Sequence, residues 1–469
     1  MRMNQPSQGP RGQWSSRLGF ILAASGGAVG LGNLWKFPYI ALENQGGAFV
    51  LIYIAAVILV GAPIMIAEII LGRRAEKDPV GTFRILSAGK RGAGLWPGVG
   101  VLGIITGFVI LSYYSVVAGW TLRYILRALS GQLGELATHP GALDAFFGEF
   151  LASGGQQISY FVLFMAATVG VVYFGVAKGI ERVTSVLMPC LFAILLALAI
   201  YSTRTPGFSE AITFLFRPNF SELTRGAILE ALGHSFFTLS LGMGAMLTYG
   251  SYMRKNDSVP KAAVVISAVD TLIALIACIV MFSIIFSFDF EPRKSSTILF
   301  TTLPVVFFKM PGGAAISAFF YLLVAFAALT STISLLEVVS SFAIDELGWR
   351  RHRAVLSMGG AITLFGVLSA LSLGANGQLS SVNLIGREST GGIFGTLDYL
   401  ASNWFLPVGG FLIALFTGWA MSKADTRAEL EQGHGPMASY SGWRFLIRFA
   451  APLAVGAIIV SVILGAEYQ

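Results

Sequence analysis

Eleven runs of predominantly apolar residues, each long enough to cross a lipid bilayer, dominate this chain. A spanning helix needs about 20 such residues, and only helices and closed barrels can pair all of their backbone groups in lipid. We therefore predict an all-α integral membrane protein. The eleven predicted transmembrane helices lie at residues 18–40, 46–71, 97–128, 158–176, 180–202, 226–253, 260–288, 313–344, 354–374, 397–421 and 443–466.

The composition excludes several other classes of protein. Charged residues make up 12% of the 469 residues, against about 25% in soluble domains, so lipid is the main partner of the surface. The two cysteines, Cys190 and Cys278, lie inside apolar runs, which argues against a disulfide scaffold or a zinc site. The net charge of +7 is segregated by loop and does not indicate nucleic-acid binding. Residues 1–469 are interpreted as a single transmembrane domain.

Basic residues are confined to alternate loops. The loop at 73–91 contains six of them, whereas the loop at 131–157 contains none. The positive-inside rule then predicts a cytoplasmic N-terminus, and eleven spans would place the C-terminus outside. The expected location is the cell inner membrane or the plasma membrane. The charged segment 289–312 is interpreted as an outer loop with a short helix.

Glycines interrupt the first and the sixth predicted spans near their middles. The first contains Gly26, Gly27, Gly30 and Gly32, and the sixth contains a second group at 242–244. Each costs a helix about 1 kcal/mol relative to alanine. Close helix packing is one interpretation. The other is an inverted-repeat transporter, whose broken helices offer carbonyls to a cation and N–H groups to a carboxylate at the membrane midplane. The repeats would cover 18–202 and 226–421, followed by the last helix.

Six motifs along nearly the whole chain resemble the neurotransmitter:sodium symporter family in its eleven-helix prokaryotic branch. The motifs are Trp14-Ser-Ser-Arg-Leu-Gly19, Ala28-Val-Gly-Leu-Gly-Asn33 with Phe37-Pro38, Glu43-Asn-Gln-Gly-Gly-Ala-Phe49, Phe236-Phe-Thr-Leu-Ser-Leu-Gly242, Ser251-Tyr252 and Leu329-Thr-Ser331. The resemblance implies a LeuT-like fold with an inverted repeat of five plus five helices, broken in helices 1 and 6. It also implies sodium-coupled amino-acid symport by alternating access.

The resemblance implies two Na⁺ sites and one amino-acid site. The first Na⁺ would bind Ala28, Asn33, Thr238 and Asp270, and the second would bind Gly26, Val29, Ala327, Thr330 and Ser331. Hydroxyl groups in spanning helices often bond only to their own backbone, which is the alternative for Thr330 and Ser331. The substrate would contact Gly27, Ala28, Leu31, Gly32, Ile110, Tyr114, Phe237, Thr238, Ser240, Met243, Ser331, Ile333 and Leu335.

Further roles follow from the same resemblance. The outer gate would pair Lys36 with Asp398, and the inner gate would use Arg11, Asp345, Tyr252 and Glu337. Glu68 would accept N–H groups freed by the break in the sixth helix. The spacing from Gly179 to Pro189 resembles a segment whose unwinding admits water to the second Na⁺ site, although Pro189 could be a simple kink.

Two positions bear on the expected substrate and on the expected dependence on chloride. Monoamine transporters of the family have an aspartate at the position of Gly30, so glycine there favours a substrate with its own carboxylate. Asp270 supplies a fixed negative charge, and Ala274 has no hydroxyl for chloride, so we expect chloride-independent transport. For His234 one interpretation is a neutral histidine held by hydrogen bonds beneath the outer gate, and the other is an imidazole near the Asp270 carboxylate.

The expected substrate is a neutral amino acid with a hydrophobic or aromatic side chain. A channel or sensor on the same helices is the alternative, but the sequence shows no continuous polar stripe or repeated filter loop. An intramembrane enzyme is not expected because the four histidines are scattered.

Overall fold

The computed structural model describes residues 12–90, 92–139, 141–288, 298–386 and 391–466, and these residues are helical almost throughout. In the first half the helices are α1 Arg17–Ala28, α2 Gly32–Glu43, α3 Gly47–Ala75, α4 Pro79–Ser87, α5 Pro97–Leu129, α6 Gln132–Ala137, α7 Ala142–Ala152, α8 Gly154–Tyr173, α9 Val176–Ser202 and α10 Phe208–Phe216.

The remaining helices lie in the second half of the chain. They are α11 Arg225–Thr238, α12 Ala245–Gly250, α13 Val259–Phe286, α14 Ile298–Phe308, α15 Gly313–Asp345, α16 Arg351–Leu371, α17 Gly377–Ser380, α18 Gly392–Ala420, α19 Lys423–Glu431 and α20 Tyr440–Ile463.

Nine helices of the described residues are long and apolar enough to cross a membrane. A tenth span consists of α1 and α2, which meet at an angle of 51°. The sixth predicted span is divided into α11 and α12, each too short to cross alone. The all-α membrane architecture and the break in the first helix are therefore confirmed. The short helix expected at 289–312 is α14, and residues 289–297 lie outside the described part.

The helix α15 forms the centre of the bundle. In its most apolar 18-residue window 83% of the residues are buried, against 28% for α9 at the periphery. Helices α1, α5, α8 and α9 pack around α15. Small residues permit close backbone contact: a Cβ added to Gly72 of α3 would lie 1.9 Å from the carbonyl oxygen of Leu247 in α12. This packing places both helix breaks beside α15.

Candidate functional site

The first helix break exposes backbone groups in the middle of the bundle. Helix α1 ends at Ala28 because Val29 adopts extended backbone angles (φ −67°, ψ 114°). Helix α2 then begins with a π-helical turn at Gly32–Lys36. The Gly30 N–H donates to Oδ1 of Asn33 at 2.9 Å, and the Leu31 N–H donates to the Tyr114 hydroxyl at 2.8 Å. Each of these N–H groups therefore donates to a side chain instead of to a carbonyl of an α-helix.

The second break contains three residues with positive φ: Ser240 (54°), Gly242 (82°) and Gly244 (76°). A non-glycine residue in this region costs about 1–3 kcal/mol. The Ser240 hydroxyl donates to the Gly27 carbonyl at 2.8 Å, which joins the two breaks. Oε1 of Glu68 accepts the Gly242 N–H at 2.7 Å. The predicted structural role of Glu68 is therefore confirmed.

Three residues predicted for the first Na⁺ site form one buried cluster. Nδ2 of Asn33 donates to Oδ1 of Asp270 at 2.7 Å and to Oγ1 of Thr238 at 2.9 Å. The Thr238 hydroxyl lies 3.0 Å from Oδ2 of Asp270. No salt bridge within the described residues joins Asp270 to a basic side chain. A buried carboxylate with only neutral partners is costly, and a bound cation would remove that cost.

The residues predicted for the second Na⁺ site meet where α1 faces α15. The Ser331 hydroxyl donates to the Val29 carbonyl at 3.1 Å, and the Gly26 carbonyl lies 3.5 Å from it. The Thr330 hydroxyl instead donates to the Ala327 carbonyl in its own helix at 3.0 Å. Thr330 therefore bonds within its own helix, as the alternative interpretation has it, whereas Ser331 contacts the broken helix.

A small cavity of about 20 Å³ lies between these two clusters. Ten of the thirteen residues predicted to contact substrate line it: Ala28, Gly32, Ile110, Tyr114, Phe237, Thr238, Ser240, Met243, Ser331 and Leu335. Gly30 also lines it, and a Cβ added there would lie 2.6 Å from the hydroxyl oxygens of Tyr114 and Ser331. The glycine therefore leaves space that any larger residue would occupy.

Three predicted substrate contacts do not line this cavity. Successive residues of an α-helix are 100° apart, so Ser331 and Leu335 share one face of α15 while Ile333 lies about 200° from each. Ile333 therefore does not line this cavity in the structure. Leu31 lines the adjoining outer cavity. Gly27 packs against Ser334 and contributes its carbonyl to Ser240.

A larger cavity of about 350 Å³ adjoins the first, and Tyr114 and Phe237 line both cavities. The predicted pair of Lys36 and Asp398 lines the larger cavity, with 3.2 Å between Nζ of the lysine and Oδ1 of the aspartate. The Lys36 ammonium also lies 4.5 Å from the centre of the Phe237 ring. The pair thus forms directly over the aromatic layer that separates the cavities.

The opposite side of the bundle is closed by a charged network. The Tyr252 hydroxyl donates to Oε1 of Glu337 at 2.7 Å. Both residues were predicted for the inner gate. Sequence analysis missed the partner of this glutamate, Arg351, whose guanidinium pairs with both carboxylate oxygens. Asp345 accepts the backbone N–H of Asp78 at 2.8 Å. Arg11, the predicted partner of Asp345, lies outside the described residues.

Glu181 is a second residue that sequence analysis missed. Its carboxylate accepts hydrogen bonds from the backbone N–H and hydroxyl groups of Ser15 and Ser16, next to the start of α1. The sequence signal was an acidic residue between two basic ones, Lys178 and Arg182.

The histidine expected beside Asp270 has a different environment. The His234 ring stacks on Phe37 with 5.5 Å between ring centres, and the Tyr53 ring lies 5.8 Å away. No hydrogen bond joins His234 to Asp270 in the described part of the chain. One helical turn separates His234 from Thr238, but the aromatic rings fill the space beside the imidazole.

Comparison with known proteins gives consistent matches over nearly the whole chain. The model of the sodium:neurotransmitter symporter family matches residues 11–138 and 147–467. An uncharacterised sodium-dependent transporter of Bacillus subtilis is 38% identical, with coverage of 96% of this chain and 97% of the relative. One from Haemophilus influenzae is 32% identical over 96% and 98%. The crystal structure of MhsT in complex with L-phenylalanine has 42% identity, a TM-score of 0.87 and coverage of 96% and 99%.

Proposed function

The chain belongs to the sodium:neurotransmitter symporter family, and from that premise we propose that it is a sodium-coupled symporter of a neutral amino acid with a hydrophobic or aromatic side chain. It is accordingly a transporter with a LeuT-like fold and not an enzyme. The main support is the buried Asp270 carboxylate, whose hydrogen-bonding side chains, Asn33 and Thr238 among them, are neutral in the described part of the chain. Bound Na⁺ would supply the missing positive charge.

The geometry of the small cavity supports an amino acid as the cargo. The substrate carboxylate would replace the Tyr114 hydroxyl as partner of the Leu31 N–H, next to Na⁺ at Asp270. The substrate amine would bind carbonyls at the two breaks. Ile110, Met243 and Leu335 would contact an apolar side chain, and L-phenylalanine in the related MhsT structure agrees with this substrate class.

We assign a second Na⁺ to the carbonyls of Gly26, Val29 and Ala327 together with the hydroxyls of Thr330 and Ser331. This site would join the unwound end of α1 to α15, so that ion binding stabilises one position of α1. The outer gate would be Lys36–Asp398 and the inner gate would include Glu337, Tyr252 and Arg351. The Lys36–Asp398 pair is partly exposed, and such ion pairs contribute about 0–1 kcal/mol, which suits a contact that must break in every cycle. The N-terminus would be cytoplasmic and the C-terminus outside.

Uptake into proteoliposomes tests this proposal. With two Na⁺ per zwitterion, a potential of 100 mV supplies about 4.6 kcal/mol, equivalent to more than three decades of concentration. All twenty amino acids are tested. We expect phenylalanine or another apolar amino acid to accumulate under an inward Na⁺ gradient and to leave the vesicles when that gradient is dissipated. Equal uptake of every amino acid in Na⁺ and in K⁺ would contradict the proposal.

A further inference from the structure

An open groove on the membrane-facing surface lies outside the transport site. It runs between α3, α13 and α20 and has a volume of about 1140 Å³. Aliphatic side chains make up most of its wall, and Ile58 and Val264 are each 60% exposed. The aliphatic residues of the wall include Ile54, Ile58, Val264, Val265, Leu272 and Leu275.

Small residues and one fixed aromatic ring keep this groove open. Ala62, Ala268 and Gly442 line it, and a Cβ added to Gly442 would meet no atom within 4 Å. Nε1 of Trp443 donates to the Pro63 carbonyl at 3.2 Å, which fixes α20 against α3. Residues with little or no side chain therefore form part of the groove, and Trp443 is held in place beside them.

Positive charge is concentrated at one end of the groove. Arg17 and Lys261 line it there, together with His434, whose Nδ1 atom lies 2.7 Å from the Ser258 hydroxyl. Within the described residues no aspartate or glutamate lines the groove and no carboxylate pairs with either cation. Residues 1–11, which precede α1, contain no acidic residue either. This end thus has two uncompensated cations beside a long apolar surface.

The groove has the dimensions of a membrane lipid. Lys261 lies in the first turn of α13, and Leu275 lies fourteen residues further along the same helix. At 1.5 Å per residue this separation is about 21 Å, enough for the apolar chain of a lipid in one leaflet of a hydrocarbon core about 30 Å thick. The cationic end lies on the side of the basic loops, where the headgroup of an inner-leaflet lipid would be.

We propose that this groove is a binding site for an anionic phospholipid of the inner leaflet. Its acyl chain would lie along the exposed aliphatic residues of α3 and α13, and Arg17 and Lys261 would bind its phosphate. Basic pockets between spanning helices on the cytoplasmic side recognise anionic headgroups. A soluble anion would not need the apolar wall, and a neutral lipid would not need two cations.

Native mass spectrometry of the full-length protein, delipidated in detergent, tests the site with phosphatidylglycerol and phosphatidylcholine as probes. We expect tighter binding of phosphatidylglycerol. Arg17→Gln with Lys261→Gln should weaken its binding about thirtyfold, since each cation near an anionic lipid contributes about fivefold. Lys178→Gln, which removes an exposed positive charge of α9 outside the groove, is the matched control and should bind as the wild type does.

A second variant tests the apolar wall without a change of charge. Val264→Trp should fill the groove and weaken binding of both lipids, and its thermal unfolding should remain that of the wild type because residue 264 is exposed. Equal affinity for the two lipids, or unchanged binding in the double variant, would overturn the proposal. A dimer that dissociates only in Val264→Trp would assign the groove to a second copy and would also overturn it.

Discussion

Two adjacent hydroxyl residues of α15 have different contacts. The Ser331 hydroxyl crosses to the carbonyl of Val29 in the broken helix. The Thr330 hydroxyl bonds to Ala327 and Phe326 of its own helix. Both are fully or nearly fully buried. If they share one Na⁺, the ion must draw the Thr330 hydroxyl away from its own helix, whereas Ser331 already faces the opposite ligands.

This difference predicts unequal effects of alanine substitution. A hydrogen bond or ligand to a charged group contributes about 1.5–3 kcal/mol, so Ser331→Ala should lower the apparent Na⁺ affinity about ten- to a hundredfold. Thr330→Ala should cost less, and the double variant should lose more than either. Na⁺-dependent binding of the amino acid measures the effect, with thermal unfolding as the control. Unchanged Na⁺ dependence in all three variants would refute the second Na⁺ site.

The charge of Asp270 gives a second prediction at this scale. Transport should proceed at the wild-type rate when gluconate replaces chloride, because the carboxylate supplies the negative charge next to Na⁺. Asp270→Asn keeps the size of the side chain and removes the charge, so apparent Na⁺ affinity should fall at least tenfold. Wild-type uptake that stops in chloride-free buffer would show that an anion, and not this carboxylate, balances the ion.

At the scale of helices, one carboxylate fixes the beginning of α1. Glu181 lies at the end of the π-helical turn that opens α9. It accepts four hydrogen bonds from Ser15 and Ser16. A Cβ added to Gly19 would lie 1.8 Å from its Oε1 atom, so the carboxylate packs directly on the α1 backbone. Negative charge at a helix N-terminus is favourable, and α1 is the helix that carries the site at its other end.

Glu181→Gln should therefore loosen α1 at its N-terminal end. Hydrogen bonds to a charged acceptor are roughly twice as strong as neutral ones, and the amide keeps the size of the side chain. We expect faster deuterium exchange at residues 12–28 and 176–188 and little change elsewhere. Glu431→Gln, which alters a partly exposed carboxylate of α19, is the control. Equal exchange in the two variants would show that the contact does not hold α1.

At the scale of the whole molecule, the loop after α3 contacts the end of α15, and so joins the two proposed repeats. The Asp78 carboxylate caps α4 by accepting the N–H groups of Val80 and Gly81, and its own N–H donates to Asp345. Burial and the adjacent Asp345 carboxylate raise the pKa of Asp78 to about 7. The packed state thus favours protonated Asp78, whereas the unfolded chain titrates near its ordinary value of about 4.

The sign of the pH dependence follows from these two pKa values. The stabilisation from protonated Asp78 is complete below pH 4 and is lost as the pH rises towards and through 7. The midpoint of thermal unfolding in detergent should fall as the pH rises from 5.5 to 8.5. Asp78→Asn keeps the helix cap and should flatten this fall, whereas Asp425→Asn in α19 should not. If the unfolding midpoints of wild type and Asp78→Asn fall in parallel with pH, Asp78 is not the group responsible for the pH dependence.

The sequence by itself determined the membrane class, the all-α architecture and the positions of the two breaks, and it selected Asn33, Thr238 and Asp270, which the structure brings into one cluster. Long apolar runs and mid-membrane glycines permit few structures, because lipid offers no partner to backbone groups. Only the tertiary structure decided that Ile333 faces away from the cavity, that Arg351 pairs with Glu337, and that Glu181 holds α1. In a buried membrane helix every face is apolar, so periodicity does not reveal which face meets the site. The contact of Glu181 with Ser15 joins residues 166 positions apart, and no local pattern predicts it.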